Sequence, residues 1–382
     1  GSVCLVAKEP RVPYDRPPLT KGFMNFKPAD PADIESKDST WYPNNNVDVK
    51  MGVEVVKLDR SAKEAHLSDG TVIGYEKALL ATGSTPHKID LPGSDLANVF
   101  LFRYLDWAEQ IREIAKEVQN IVLIGGGYIG MELGASFTAG GHNVTIIDHG
   151  KHPWGRLASP ITGNFLRSYF ENKGVRFLFE DAPEQIAGEG RVQTVRTKNL
   201  HAAPADLVVI GTGVQLNTKI AKDAGLTVDD KHGVSVNEFL QSEDDPSIWV
   251  AGDIANFKDV VMDQKWHIEH HMHAKWTGNA AGKNMAGANQ RYERVPYFFS
   301  DMFDLQIVIR GNPAIGRSAR ILGDLDTAEF VELYTNGDEK VVGAIGVTRI
   351  DDRYGKLEGA LEAVIKDGKH SRELSLGDVG LD

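Results

Sequence analysis

Thiols are nearly absent from this chain: Cys4 is the only cysteine in 382 residues. That excludes an intramolecular disulfide, a cysteine-rich zinc site and a redox-active cysteine pair. Long apolar runs are missing too. No stretch approaches the roughly 18 apolar residues of a membrane-spanning helix, and no signal-peptide pattern opens the chain. These absences describe a soluble protein of a reducing compartment, cytoplasmic, with an organelle left open. Positive charge is in deficit, 42 Lys and Arg against 54 Asp and Glu, for a net charge of −12. This argues against nucleic acid or an anionic membrane as partner, and leaves room for a small anionic substrate in a locally basic pocket. The length suffices for two or three domains with cores of their own.

Glycine, by contrast, is gathered into short motifs. The clearest lies in NIVLIGGGYIGMELGASFTAGGHNVTIIDHG, which begins at Asn120. Ile121 to Ile124 reads as a strand buried on both faces. Gly125, Gly127 and Gly130 form a G-x-G-x-x-G turn, and Ile129, Leu133 and Phe137 supply one apolar face of the helix that follows. Val144 to Ile147 is the next strand, ending at Asp148. Alone, such a glycine turn is weak; between a strand and a helix, with an acid on the next strand end, it predicts a dinucleotide site. Gly125 allows the tight turn, Gly127 lets backbone approach a pyrophosphate at the helix N-terminus, and Gly130 permits close helix–strand packing. Asp148 would accept hydrogen bonds from a ribose diol and repel a 2′-phosphate, which favours NADH over NADPH. His149, Lys151 and His152 pull the other way.

Three more segments share the form of a short apolar strand running into a small-residue turn. They are Ala78 to Ala81 before Thr82-Gly83, Leu207 to Ile210 before Gly211-Thr212-Gly213, and Ile248 to Ala251 before Gly252-Asp253. Ligands of open α/β sheets bind beyond such carboxyl ends. ASPITGNFLRSYFENKGVRFLFE predicts a helix stopped near Gly174 and then a strand. From about Tyr292 the pattern alternates. Asn336-Gly337 predicts a type I′ hairpin, and GKLEGALEAVIKDGK a helix packed on the resulting sheet.

The ordered set RVPYDRPPLTK, LLATGSTP, IGGGYIGMELGA, VVIGTGVQLN, VAGD and VPYFFSDMFDL resembles pyridine-nucleotide flavoprotein oxidoreductases of the ferredoxin/rubredoxin reductase type. Their relatives include monodehydroascorbate reductase and apoptosis-inducing factor. The resemblance covers essentially the whole chain, and PYDRPPLTK and PYFFSD make it specific. SYFENKGVRF and the run from VPYFFSDMFDLQI to GNPAIG look most like monodehydroascorbate reductase. EHHMHAKWTGNAAGKNMAGA looks most like apoptosis-inducing factor. The resemblance implies an α/β fold with two Rossmann-like, three-layer FAD- and NAD(P)-binding domains and a C-terminal α+β interface domain. Residues 1–112 and 236–291 would form the FAD domain, 113–235 the NAD(P)H domain and 292–382 the interface domain. FAD would take hydride from NADH and pass electrons singly to an acceptor. The resemblance implies that the acceptor would be a ferredoxin, rubredoxin or Rieske-type protein, a quinone or a small radical, and the protein a monomer or a homodimer.

Residue by residue, the resemblance implies that Glu9 meets the FAD ribose and that Arg16 and Lys21 are a basic pair on the flavin side. Thr82 and Gly83 would lie along the FAD, and Asp253 would bind its ribityl or pyrophosphate part. Tyr128 would cover the flavin until nicotinamide displaces it. Glu132 would approach the nicotinamide and pair with Lys21. Ile129 follows in the same turn, and Gly211 and Gly213 would contact NADH. Two departures stand out: Lys275 occupies the place of an arginine near the acceptor of monodehydroascorbate reductases, and Phe299 that of a tyrosine beside the flavin. Lysine lacks the bidentate fork of arginine, and phenylalanine lacks the hydroxyl, so both count against ascorbate-radical reduction. Phe299 would still shield the flavin face. The family opens with its own strand–GxGxxG–helix unit, whereas VCLVA matches the second strand of that unit. The expectation is therefore a chain without that segment, with the FAD assignment describing the intact parent.

WHIEHHMHAKWTGNAAG carries His267, His270, His271 and His273. His267, His270 and His271 are spaced to share one helix face, a pattern that suits zinc only with a further ligand or open position. No partner loop offers one, and the resembled family holds no metal here. The resemblance instead makes Glu269 and His270 flavin neighbours at a helix N-terminus and Lys275 an acceptor-site residue, with His267 and His273 on other faces doing little. A second reading is an NADH-responsive redox-sensing or signalling flavoprotein in which turnover is incidental.

Overall fold

The computed structural model describes residues 1–24, 31–350 and 354–382. Strand β1 (Val3–Ala7) pairs in parallel with β2 (Val47–Met51). β3 (Ala78–Leu80) follows, then β4 (Val99–Leu101) and helix α1 (Leu105–Ala115). The segment around the glycine turn gives β5 (Asn120–Ile124), α2 (Tyr128–Ala139) and β6 (Asn143–Ile147). α3 (Pro160–Asn172), β7 (Arg176–Leu178), β8 (Leu207–Ile210), β9 (Ile248–Val250) and α4 (His271–Met285) come next. Five strands, β10 (Tyr297–Met302), β11 (Leu305–Gly311), β12 (Ser318–Asp324), β13 (Glu329–Thr335) and β14 (Val341–Arg349), precede α5 (Tyr354–Lys366). The chain divides into two units. Unit 1 is Gly1–Pro18, Ala29–Thr85 and Gln215–Arg294; unit 2 is Leu19–Pro28, Pro86–Val214 and Val295–Asp382.

Unit 2 contains a five-stranded sheet in the order β7-β6-β5-β8-β4, parallel throughout. β5 is buried on both faces, with Ile121 to Ile124 no more than 3% exposed, which is why its sequence is an unbroken apolar run. The register places Ile147 and Ile210 on either side of Ile124. The glycine turn, Asp148 and Gly211 therefore leave the sheet at one edge, where β5 lies between strands that connect in opposite directions. Helix α2 departs from the single apolar face expected for it: every residue from Gly130 to Phe137 is buried. It packs against β5 and β6 and against β10, so small residues and Glu132 are enclosed along with Leu133 and Phe137.

The second sheet of unit 2 is antiparallel, β10-β11-β14-β13-β12, with α5 packed on β11 and β14. The hairpin after β13 is not the predicted type I′ turn. Neither Asn336 nor Gly337 has positive φ; Glu339 does, at 61°. The Asn336 side-chain oxygen accepts from the N–H groups of Asp338 and Lys340. That local bond fixes a three-residue loop closed by a left-handed residue instead.

Unit 1 holds β1–β2 and the parallel pair β3–β9. Its core gathers Leu80, Ile248, Trp249, Phe257 and Tyr292 among others. α4 begins at His271, after the strand Gln264–Trp266 and an extended His270 at φ −112° and ψ 141°. His267 therefore precedes the helix, and the shared helical face expected for His267, His270 and His271 does not form.

Candidate functional site

In unit 2 the glycine turn is packed so tightly that other residues are excluded. A Cβ on Gly130 would stand 1.9 Å from the Gly125 carbonyl oxygen, and one on Gly125, at φ 111°, 2.4 Å from that of Gly211. Gly125 donates to Ile147 O and Gly211 to Ile124 O, each at 2.8 Å, so the β5 and β8 turns are locked together. Gly127 is the exposed N-cap of α2, and a Cβ there would meet nothing within 4 Å. An open backbone position at a 12-residue helix N-terminus suits a pyrophosphate. Ile129 lies over Gly211, and Gly213 has φ 101°. Asp148 is held by the turn itself: its Oδ2 accepts from Gly126 N and its Oδ1 from Gly150 N, both at 2.6 Å.

One helical turn further along α2, a polar cluster is enclosed. Tyr128, Glu132 and Ser136 follow at i, i+4 and i+8 and share a face. Glu132 is 5% exposed. Its Oε1 accepts from Lys21 Nζ and from Ser300 Oγ, both at 2.6 Å, and its Oε2 from Thr20 Oγ1 at 2.5 Å. Ser136 Oγ donates to Thr20 O at 2.7 Å and so ties the Lys21 segment to the helix. The Lys21 ammonium also lies 5.8 Å from the centre of the Phe299 ring. Tyr128 packs, with tilted rings, at 4.0 Å from Phe298 and at 5.3 Å from Trp154, and burial pushes its phenol pKa up. Asp301 is likewise raised, by burial first, against the lowering effect of Lys21.

In unit 1, β3 and β9 lie side by side, and their carboxyl-end turns are joined by Ser84 Oγ donating to Asp253 Oδ2 at 2.6 Å. Thr82 Oγ1 donates to Asn217 O, and Asn217 N to Gly83 O, where Gly83 has φ 63°. Glu9 accepts from Tyr14 OH at 2.5 Å and from Arg16 Nη2 at 2.8 Å, so Arg16 pairs with Glu9. On α4, His270 is the N-cap and Glu269 meets His267 Nε2 at 3.2 Å. Lys275 is exposed and 3.4 Å from Asp15 Oδ2. These residues suit FAD on their chemistry: a ribose acceptor in Glu9, backbone in glycine-favoured conformations at Gly83 and Gly252, and the N-terminus of a 15-residue helix for anionic charge.

A family model described as pyridine nucleotide-disulphide oxidoreductase matches residues 1–278. The chain belongs to this family. The chain is 28% identical to apoptosis-inducing factor 3 of Homo sapiens over 344 residues, 90% of this chain and 56% of that protein. It therefore spans little more than half that relative's length. It is 30% identical to the peroxisomal monodehydroascorbate reductase 4 of Arabidopsis thaliana, across 82% of this chain and 67% of that one. A crystal structure of a ferredoxin reductase from Rhodopseudomonas palustris matches with a TM-score of 0.88 and 27% identity, covering 97% of this chain and 92% of that one. The resemblance to ferredoxin and rubredoxin reductases and their relatives is borne out, as is the α/β flavoprotein fold. The chemistry of the family is that of NAD(P)H-dependent flavoprotein oxidoreductases, with FAD and a pyridine nucleotide. No helix among the described residues is long and apolar enough to cross a membrane.

The contact between Lys21 and Glu132 was anticipated by the family resemblance. Thr20, Ser300 and Asp15 were not, since a lone hydroxyl or carboxylate carries no periodic signal. His273 is a correction: far from doing little, it is 1% exposed, packs at 4.9 Å on Phe257 and hydrogen-bonds Tyr292 OH at 3.1 Å. Burial, aided by charge on His270 and His267, pushes its pKa down to about 3. The unfolded chain protonates this residue near pH 6.5. Stability from the neutral buried ring is therefore complete above pH 6.5 and lost as pH falls from there toward 3. The slope is about 1.4 kcal/mol per pH unit. His273→Phe is expected to lose less stability than the unaltered protein on acidification from about pH 7.5 to 5, by urea denaturation. Asp259, which burial pushes upward, titrates in both proteins and cancels in the comparison. Equal losses would show that His273 is not the titrating group.

Proposed function

We propose that this chain is an FAD-dependent NADH:acceptor oxidoreductase that passes electrons singly to an iron–sulfur protein of the ferredoxin, rubredoxin or Rieske type. The observation that carries the reading is the Lys21–Glu132 pair, enclosed one helical turn from the glycine turn. NADH would lie over Gly125, Gly127 and Gly130, with Tyr128, Ile129 and Glu132 beside its nicotinamide half and Gly211 and Gly213 beneath it. Glu9, Arg16, Thr82, Gly83, Asp253, Glu269 and His270, together with Lys21 and Phe299, would hold FAD. When bound, FAD supplies the step from two-electron to one-electron chemistry.

The chain's own residues then bind, orient and neutralise. Glu132, fixed by three donors, holds the Lys21 ammonium in one position, where its charge stabilises the negative charge that arrives with hydride. Phe299 gives that ammonium an apolar neighbour and excludes water. Asp148, anchored by two backbone N–H groups, presents a fixed anion that accepts ribose hydroxyls and repels a 2′-phosphate, which favours NADH over NADPH. Similarity to a ferredoxin reductase across nearly the whole of both chains supports a protein acceptor. Against ascorbate radical, Lys275 already faces the Asp15 carboxylate, which weakens its hold on an anion.

The test is steady-state turnover of FAD-saturated protein with NADH against a [2Fe–2S] protein, a quinone and ascorbate radical. Fastest turnover with the iron–sulfur protein is expected, with NADH preferred to NADPH and that preference narrowed by Asp148→Ala. Similarity to apoptosis-inducing factor 3 supports the second reading, a redox sensor. Slow turnover with every acceptor, together with dimerisation on NADH, would favour it.

A further inference from the structure

β10 and β11 pair so that Asp301 stands directly opposite Gln306. Cross-strand neighbours of this kind have side chains within reach of each other. Asp301 Oδ1 and Gln306 Oε1 are both shut off from solvent, and neither has a hydrogen-bond partner among the described residues. Two enclosed acceptors on facing residues lose their hydration with nothing in return. A single proton on Asp301 Oδ1 satisfies both, because a carboxylic acid donates where a carboxylate only accepts. The Gln306 amide already donates to this carboxyl group, so the protonated pair is a closed ring of two hydrogen bonds. Burial acts most strongly on the carboxyl and pushes it up; Lys21 opposes this, Glu132 adds to it, and the bond from Gln306 opposes it. Lys21 from its loop and Glu132 from α2 are thus the charged groups that face Asp301, while β11 meets it with an uncharged amide.

Asp301 follows Ser300, whose Oγ is bound to Glu132 at 2.6 Å. Alternation along the strand puts Asp301 on the same face as Phe299, and Lys21 Nζ stands 5.8 Å from that ring. An ionised Asp301 would be a second anion competing with Glu132 for one ammonium. We propose that the Gln306 amide keeps Asp301 as a neutral acid, and that this leaves the Lys21 charge paired with Glu132 alone and able to respond to negative charge arriving at the flavin. Asp301 is then a positioning residue, acting through Lys21. This role rests on the reading of the Lys21–Glu132 pair as the flavin site; the acid–amide pair does not.

The acid is tested without either cofactor, by carbon-13 NMR of protein labelled at the aspartate carboxyl carbon and titrated from about pH 4 to 9. The Asp301 resonance is the one lost in Asp301→Asn or, where that variant does not fold, in Asp301→Glu. It is expected at its protonated position at about pH 6, well above the ordinary carboxylate range, and to titrate only at higher pH. A carboxylate at that pH overturns the proposal and means that the Gln306 amide is turned end for end, donating from the position of Oε1. The role at Lys21 is tested by the rate of flavin reduction by NADH in FAD-saturated protein across the same pH range. The unaltered protein is expected to slow about three- to tenfold as Asp301 ionises, on the scale of one added charge in a partly solvated site. The midpoint of that step must coincide with the carboxyl titration, and Asp301→Asn, whose amide is the uncharged counterpart of the acid, is expected to lose the step. No step, a step at another pH, or the same step in Asp301→Asn overturns the role. Flavin that NADH reduces at no pH, beside an Asp301 that titrates as expected, brings down the oxidoreductase reading and the role with it, and upholds the acid–amide pair.

Discussion

Glu132→Ala is expected to destabilise the protein by about 3–5 kcal/mol, the usual cost of removing one partner of a buried ion pair. Three donors converge on this carboxylate, and all three lose their acceptor together. Lys21, with its side chain only 17% exposed, would be left as a half-enclosed cation, and the hydroxyls of Thr20 and Ser300 as unsatisfied donors. Each such hydroxyl costs about 1–3 kcal/mol when it finds no water. Relaxation of the Lys21 side chain toward solvent limits the sum. Glu132→Gln keeps an acceptor for some of these donors and loses the charge, so a smaller loss of about 1–3 kcal/mol is expected. Chemical denaturation followed by far-ultraviolet circular dichroism checks both. A change within about 0.5 kcal/mol for Glu132→Ala, the range of an ordinary surface substitution, would show that the cluster does not hold unit 2 together. Activity separates the structural from the chemical role: Glu132→Gln should remain folded and yet reduce flavin slowly with NADH.

Arg310 should show the opposite pattern between two substitutions. It is 1% exposed, one of the largest fully buried side chains, and lies 4.3 Å from the Tyr297 ring. Its Nη2 meets Glu358 Oε1 at 2.7 Å and Glu362 Oε2 at 3.0 Å. Those glutamates sit four residues apart on α5, so without the arginine they are like charges on adjacent turns. Arg310→Ala removes the charge and the volume together, and about 3–5 kcal/mol of stability should go with them. Arg310→Met refills the space with an apolar chain. Both glutamates retain about 30% exposure and can return to water, so a loss under about 1.5 kcal/mol is expected. Equal losses for the two variants, measured by denaturation, would mean that the ion pair rather than the filled volume supports the α5 face.

What was legible in the sequence followed local physics. β5, α2 and β6 were found because a strand buried on both faces is an apolar run and because the glycine turn punctuates it. The Gly174 stop of α3 was found for the same reason. Two local readings failed where a different local bond won. Asn336 spends its side-chain oxygen on Asp338 and Lys340, which selects another loop. An extended His270 delays α4 and breaks the histidine face. The Lys21–Glu132 contact was anticipated through resemblance rather than spacing, since 111 residues separate the two. Ser300 lies 168 residues from Glu132. Neither its contact nor that between Trp154 and Tyr128 has a pattern in the chain to announce it. Both arise when β10 and the segment after Asp148 come to rest on α2.

The central claim is that hydride from NADH reaches a flavin beside the Lys21–Glu132 pair. Anaerobic titration of FAD-saturated protein with NADH, followed in the visible flavin absorption, tests it most directly. The account predicts bleaching complete at one NADH per flavin, much slower in Glu132→Gln, with NAD⁺ as product. Flavin that stays oxidised under excess NADH, in protein shown to bind both molecules, would contradict it.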